Sequence, residues 1–257
     1  MIKDPLSIEY IQKVLEPENA SRLSGIDLFD SIDSTHTYLL KKAKQGAPSG
    51  FVCLAEEQTA GRGRFGKSWY SPHGTNIYCS LLWRFQASTQ DVSGLGIAVG
   101  VMVVNALRRY GVTTAVQLKW PNDVLAMNRK LAGILLERDH KAGVVIGVGL
   151  NVDVRAAGEK TWIDLSELTD QPVQRNALAG TLLNEMLGQL PRFERDGLAP
   201  FLSAWKEHDA LLDRPILVVT PGHKKAGIMR GITGSGELRL EDENGIQCFR
   251  YGEVSIR

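Results

Sequence analysis

The string Gly61-Arg62-Gly63-Arg64-Phe65-Gly66-Lys67-Ser68 constrains this chain more than any other segment. As G-x-G-x-x-G it matches a dinucleotide or kinase loop, and as G-x-x-x-x-G-K-[ST] it matches the phosphate loop of nucleotide triphosphatases. All these patterns make one physical point: glycines let the backbone turn its N–H groups toward an anion, and neighbouring cations hold that anion. The flanks separate the readings. A phosphate loop follows a strand and opens a helix, because the helix N-terminus completes the phosphate site. Residues 51–56 have the character of a strand, but Pro72 and Gly74 stop any helix over 69–74, and residues 75–84 are rich in strand formers. The unit is therefore strand, glycine-arginine loop, strand, which disfavours the triphosphatase and dinucleotide readings. A protein kinase does place its glycine loop between strands, yet the H-R-D and D-F-G signatures are absent from the sequence. One arginine-rich segment in a chain of net charge +1 also makes a poor nucleic-acid contact.

The 257 residues suffice for one large domain or two smaller ones. Cys53, Cys79 and Cys248 are the only cysteines and show no C-x-x-C spacing. That disfavours a disulfide framework or zinc knuckle and fits a reducing cytosol, with the thiols as small buried hydrophobes. No apolar run reaches membrane-spanning length and the N-terminus is not a secretion signal, so a cytoplasmic protein without a membrane partner is expected.

Along the chain, Asp33-Ser34-Thr35 predicts a helix cap, with Lys41, Lys42 and Lys44 near the helix end. A turn follows at 46–50. Residues 95–110 predict a buried helix that Gly111 stops. A strand over 116–119 is interrupted at Pro121-Asn122-Asp123. A hairpin over 124–136 turns around Met127-Asn128-Arg129, and a β-branched strand runs over 143–154. An amphipathic helix is expected over 175–190, ended or kinked by Pro191, and another over 198–212 with Phe201, Leu202 and Trp205 on its apolar face. Beyond Asp213 the composition changes to short strand candidates at 216–219, 226–229, 238–240 and 246–249, separated by turn residues. That is the spacing of a small closed β-barrel, and it sets a boundary between 1–212 and 213–257.

Three further polar clusters stand out. Lys119-Trp120-Pro121-Asn122-Asp123 gathers a cation, an indole, an amide and a carboxylate at a strand end, as a ligand site or an ordinary polar turn would. Lys130 enters an apolar strand in which Gly133 permits close approach, although a strand-entry lysine is commonly a solvated edge charge. Gly147-Val148-Gly149-Leu150-Asn151 offers small residues and one amide, as a purine site or a bulged core strand would.

Taken together, in this order, these segments resemble the biotin protein ligase family. The resemblance rests on I-D-S-T at 32–35, E-E-Q-T-A-G-R-G-R-F-G-K-S-W at 56–69, S-P-H-G-T-N-I-Y at 71–78, K-W-P-N-D at 119–123, R-K-L-A-G-I-L at 129–135 and G-V-G-L-N at 147–151. It implies an α+β fold: a mixed β-sheet with helices, like class II aminoacyl-tRNA synthetase and biotin synthetase catalytic domains, plus a small C-terminal SH3-like β-barrel. It also implies ATP-dependent biotinylation of a specific lysine on a biotin carboxyl carrier protein through biotinyl-5′-AMP. The expected partner is the carrier domain of a biotin-dependent carboxylase. By the resemblance, Arg62, Arg64 and Lys130 are catalytic, and Ser34, Thr35, Gln58, Gly61, Arg62, Arg64, Lys130 and Gly133 bind biotin. Gly63, Gly66, Trp69, Lys119, Asn122 and Asn151 face the adenylate. Pairing a carboxylate with an α-phosphate brings two anions together, so dense positive charge suits the chemistry. Mg²⁺ is expected with ATP, with no tightly bound protein-ligated metal.

The chain departs from the family at two positions. His36 follows I-D-S-T where asparagine is common, and Phe65 stands where arginine is common. The sequence before Ile32 is shorter than a helix-turn-helix module, which predicts a monofunctional ligase without a DNA partner. Either a monomer or a homodimer is compatible with the sequence.

Overall fold

The computed structural model describes residues 4–86, 91–139, 143–154, 161–169 and 171–256. Residues 1–3 and 257, which the sequence reading covers at the chain ends, lie outside the described residues. In chain order come helices α1 (Ile8–Val14) and α2 (Pro17–Ala20), strand β1 (Gly25–Ile32), helix α3 (Thr35–Lys44) and strands β2 (Phe51–Gln58) and β3 (Asn76–Arg84). Helix α4 (Leu95–Tyr110) leads to β4 (Val116–Lys119), β5 (Asp123–Ala126), β6 (Arg129–Arg138) and β7 (Gly143–Asn151). Helices α5 (Arg175–Asp196) and α6 (Leu202–His208) precede β8 (Pro215–Thr220), β9 (His223–Ile232), β10 (Leu238–Asp242), β11 (Gly245–Phe249) and β12 (Glu253–Ile256).

The first seven strands form one mixed sheet in the order β1-β2-β3-β7-β6-β5-β4, in which only β1 and β2 run parallel. Strand β3 is buried along nearly its whole length, as a strand covered on both faces must be. One face meets α4 and α5 through Cys79, Leu81, Ile146, Val148 and Ile134. The other meets α3 through a smaller cluster of Leu39, Ala43, Cys53, Leu82 and Val145. The last five strands form a separate antiparallel sheet, the SH3-like unit, in the order β11-β10-β9-β8-β12. Strand β12 was not among the expected strands. The indole N–H of Trp120 donates to the Gly236 carbonyl (3.0 Å) and so ties the β4–β5 turn to this second sheet.

Local signals explain most element ends. Ser34 caps α3, its hydroxyl accepting from Thr37 N–H. Gly111 ends α4 in a left-handed conformation (φ 106°) that a side chain would strain. Met127 and Asn128, both at positive φ, form the two-residue turn between β5 and β6.

Two helices differ in extent from the ranges expected. Of the two outcomes expected at Pro191, an end or a kink, the end does not occur: helix α5 runs through it to Asp196. An interior proline costs roughly 3 kcal/mol, whereas fully burying a large apolar side chain gains about 1.5–3 kcal/mol. Beyond the proline, α5 buries Phe193 completely, against the rings of Phe85 and Phe201. The expected helix over 198–212 is instead a 3₁₀ turn at Ala199–Phe201 followed by α6, which stops at His208. There Ala210 N–H donates to the Leu118 carbonyl (2.9 Å), extending the sheet edge at the helix's expense.

A buried ion pair joins the chain's start to the sheet. Arg175 donates through Nη2 to Glu56 Oε2 (2.7 Å) and to the Asn76 carbonyl (2.9 Å), while Glu56 Oε1 accepts from Leu6 N–H. Both side chains are nearly inaccessible to water. Removing one partner strands the other charge, which costs about 3–5 kcal/mol. Denaturant unfolding of Arg175→Ala should show a loss of that size. A loss below about 1 kcal/mol would mean the charge was relieved by water or rearrangement.

Candidate active site

The site begins with side chains that are missing. Strand alternation places Ser80, Gly147 and Leu135 side by side on the α3 face of the sheet, then Tyr78, Gly149 and Gly133 in the next row. The three glycines leave bare backbone where a core would otherwise fill. The indole of Trp69 uses this space: a Cβ on Gly149 would stand 2.5 Å from Trp69 Cε2, and one on Gly133 would stand 2.9 Å from Trp69 Cζ3.

The glycine-arginine string forms a tight hairpin across this floor. Trp69 N–H donates to the Gly61 carbonyl (2.9 Å), Gly63 N–H to the Lys67 carbonyl (2.7 Å) and Lys67 N–H to the Arg64 carbonyl (3.1 Å). Phe65 (φ 53°) and Gly66 (φ 73°) make the tip, a turn in which two successive residues adopt positive φ. No helix follows, so the phosphate-loop reading fails on geometry as well as on sequence.

At the α3 end, polar atoms form a relay. Thr35 N–H donates to Gln58 Oε1 (3.0 Å), Gln58 Nε2 donates to Ser71 Oγ (3.0 Å) and Ser71 Oγ donates to the Trp69 carbonyl (3.0 Å). The hydroxyls of Thr35 and Ser80 lie 2.8 Å apart. This relay and the cap at Ser34 border a pocket that also receives Arg62, Arg64 and Lys130. Gly61 packs against it, since a Cβ there would be 2.5 Å from Ser71 Oγ.

At the other end lies a second cavity of about 400 Å³, lined by Gly63, Arg64, Trp69, Lys119, Asn122 and Asn151 together with Glu253 and Trp162. Arg64 donates to Asn122 Oδ1 (3.0 Å), and Asn122 Nδ2 donates to the Ile134 carbonyl (2.8 Å). Burial pulls the Arg64 guanidinium below its ordinary pKa, against the opposing pull of Asp123 and Glu253. Lys130 lies where the two cavities meet: its Nζ is 2.7 Å from Asp123 Oδ1 and 5.2 Å from the centre of the Trp69 ring.

Arg62 borders the first cavity, but its guanidinium is engaged by a carboxylate that lines neither cavity. Its two terminal nitrogens donate to Glu137 Oε1 (2.9 Å) and Oε2 (3.0 Å). His36 Nε2 lies 2.9 Å from the same Oε2, off the line of a well-formed hydrogen bond. His36 is buried in the first turn of α3. Desolvation drives its pKa down from 6.5 to about 4; Glu137 pulls the other way and Arg62 adds to the fall. The ring is therefore neutral near pH 7.

The structure gathers Ser34, Thr35, Gln58, Arg62, Gly63, Arg64, Trp69, Asn122, Lys130 and Gly133 around the two joined cavities, with Lys119 and Asn151 at the second. Gly66 lines neither cavity and serves the hairpin tip. The Asn151 amide N–H groups are taken by the Lys130 and Ile163 carbonyls (3.3 and 3.2 Å). Sequence reading missed Ser80, Glu137 and Glu253. For Glu137 a signal existed: residues 133, 135 and 137 alternate onto the same sheet face. The buried thiols offer no nucleophile, since burial pushes Cys79 up to about 12 and Cys53 further in the same direction. Among the described residues, no group of three or more His, Cys, Asp or Glu side chains is placed to hold a metal ion.

Comparison with known proteins agrees with this architecture. Residues 28–151 match the Biotin/lipoate A/B protein ligase family and residues 211–257 match the Biotin protein ligase C terminal domain. The chain is 40% identical to the bifunctional ligase/repressor BirA of Escherichia coli (strain K12), over 97% of this chain and 80% of that protein. It is 34% identical to the biotin–[acetyl-CoA-carboxylase] ligase of Paracoccus denitrificans, over 86% of this chain and 96% of that protein. Among solved structures, the biotin protein ligase from Aquifex aeolicus in complex with biotin and ATP superposes with a TM-score of 0.81 at 26% identity, covering 91% of this chain and 99% of that one.

The depressed His36 pKa has a consequence for stability. Above about pH 6.5 the imidazole is neutral in both folded and unfolded chains. Between pH 6.5 and about 4, the unfolded chain binds a proton that the folded chain does not, so this contribution to stability is lost as pH falls. The full span is worth about 3 kcal/mol at most. Denaturant unfolding at pH 4 and pH 7 should therefore show a smaller difference in His36→Asn than in the natural chain. An identical difference in both would contradict a neutral buried imidazole.

Proposed function

The chain belongs to the biotin protein ligase family, and we propose that it activates biotin with ATP as biotinyl-5′-AMP and transfers it to a lysine of a biotin carboxyl carrier domain. The observation that carries this reading is Lys130 at the junction of two joined cavities of different chemistry. One is bordered by hydroxyls and an amide, suited to a ureido ring, whose N–H groups need acceptors and whose carbonyl needs donors. The other is larger, lined by Trp69, Lys119, Asn122 and Asn151, and suits a nucleotide.

In this reading Ser34, Thr35, Gln58, Gly61 and Gly133 hold biotin. Gly63, Gly66, Trp69, Lys119, Asn122 and Asn151 serve the adenylate, Gly66 by setting the hairpin tip. Lys130 and Arg64 stand at the reacting end. The biotin carboxylate attacks the α-phosphorus of ATP, a phosphorus–oxygen bond to pyrophosphate breaks, and the two cations offset the charge that develops there. Lys130 exchanges its pairing with Asp123 for the ligand's anions. The carrier lysine, as a neutral amine, then attacks the mixed anhydride at its acyl carbon and AMP leaves. The hairpin and the Trp69 indole exclude water, which would otherwise hydrolyse the anhydride. Mg²⁺ enters with ATP as part of the substrate. The division into a catalytic unit of residues 1–212 and a C-terminal unit of 213–257 and a cytoplasmic setting complete the proposal. Among the described residues, no helix is long and apolar enough to cross a membrane.

The reaction is tested by mixing the protein with biotin, MgATP and a biotin carboxyl carrier domain and measuring the carrier's mass. A single biotinyl adduct that requires ATP and a carrier lysine is expected; lipoate in place of biotin should give none. Lys130→Ala should keep the fold and lower the rate by at least about 100-fold, as loss of one electrostatic group at a developing charge does. Adduct formation from lipoate alone would assign a different acid, and near-normal rates in Lys130→Ala would remove the role given to it.

A further inference from the structure

The proposed chemistry leaves Arg62 unexplained, because its guanidinium is committed to Glu137. Along the ten-residue strand β6, Lys130 stands near the start and Glu137 near the end. The Lys130 ammonium reaches along the strand to Gly133, where a Cβ would lie 3.2 Å from Nζ. At ~3.3 Å per residue Glu137 is still roughly 13 Å further along β6. The Arg62 guanidinium is thus anchored away from the cations that meet the reacting phosphate, toward the far end of β6. From the same hairpin, Arg64 reaches the other way, to Asn122 at the β4–β5 turn.

The hairpin therefore spans the pocket with one arginine fastened at each end. We propose that Arg62 and Glu137 form a clasp that fixes the hairpin over the ring end of the biotin pocket, so that Glu137 is a positioning residue and Arg62 closes the site instead of supplying charge to the reaction. This rests on the biotin reading of the pocket and assigns a role to a residue, Glu137, that lines neither cavity.

Three features support the clasp. The contact is bidentate, so it fixes the orientation of the guanidinium as well as its position. Arg62 pairs with Ser68 across the hairpin, so holding Arg62 holds both of the hairpin's arms. Glu137 is buttressed from the core side by His36, which packs so closely on β7 that a Cβ on Gly147 would lie 2.8 Å from its Nδ1. Because this imidazole is neutral near pH 7, Arg62 is the cation that claims the carboxylate.

The test uses Arg62→Ala, Glu137→Gln, the double variant and the charge-swapped pair Arg62→Glu with Glu137→Arg. The first measurement needs no ligand: amide hydrogen exchange of Gly63 and Trp69, whose N–H groups close the hairpin. Each single variant should speed exchange, the double variant should exchange no faster than either, and the swapped pair should restore protection. The second measurement is steady-state biotin activation. Glu137→Gln should raise the KM for biotin roughly fivefold, the effect of losing one half-exposed charge pair, with little change in kcat. Unchanged hairpin exchange in Glu137→Gln, or a swapped pair no better than the double variant, would overturn the clasp. The two failures are separable. Normal biotin turnover with unaltered hairpin exchange sinks the clasp alone, whereas the expected exchange pattern without biotin turnover supports the clasp and sinks the ligase reading.

Discussion

Everything at this site depends on the facing pair Gly133 and Gly149, with Gly147 in the next row of the same face. A sheet buried between helices normally covers both faces with side chains, and here α4 and α5 fill one face in that way. On the other, α3 packs over Cys53, Leu82 and Val145 with Phe29 and Phe51 beside them, and the glycines leave the adjoining rows open. An apolar side chain at any of the three would have extended the core by one more residue. Its absence turns a core position into a floor, and the hairpin, the indole of Trp69 and the ammonium of Lys130 are arranged on that floor.

The charges form a second layer of the same design. Three of the cations at the site have a carboxylate at hand: Lys130 with Asp123, Arg62 with Glu137, and Lys67 with Glu253 of the C-terminal sheet. These cationic side chains are a third or more exposed, so each pairing holds its cation in place at a gain of about 1 kcal/mol at most. The pairings are not equivalent. Asp123 and Lys130 line the second cavity, where, on the proposed reading, incoming phosphates take the carboxylate's place. Glu137 lies outside it, and its pairing can persist while ligand is bound. Lys67 and Glu253 join the hairpin to β12, so the second sheet also bears on the second cavity.

Much of this was legible from residues near one another in sequence. Ser34 as a cap, Gly111 as a stop and the turn at Met127-Asn128 depend on local backbone chemistry. The K-W-P-N-D segment makes the turn from β4 into β5 and R-K-L-A-G-I-L lies on β6, which pairs with β5 and so brings Asn122, Lys130 and Gly133 together. Other features depended on distant partners. The contact of Arg62 with Glu137 spans 75 positions, and no local pattern names it. Pro191 signals a helix end or kink, but burial of Phe193 among rings from elsewhere in the chain offsets much of the proline's cost. The last strand, β12, is only four residues long and follows Gly252, too short for alternation to register.

The central claim, that the glycine floor makes a biotin and ATP site, is tested most directly at Gly149. A methyl group there would meet the Trp69 indole at 2.5 Å, a rigid ring rather than the end of a flexible chain. The measurement is biotin-dependent ATP–pyrophosphate exchange by the natural chain and by Gly149→Ala, alongside thermal unfolding of both. The account predicts exchange that requires biotin in the natural chain and is largely lost in Gly149→Ala while the fold survives. Exchange that ignores biotin, or that is equally fast in a folded Gly149→Ala, would contradict it.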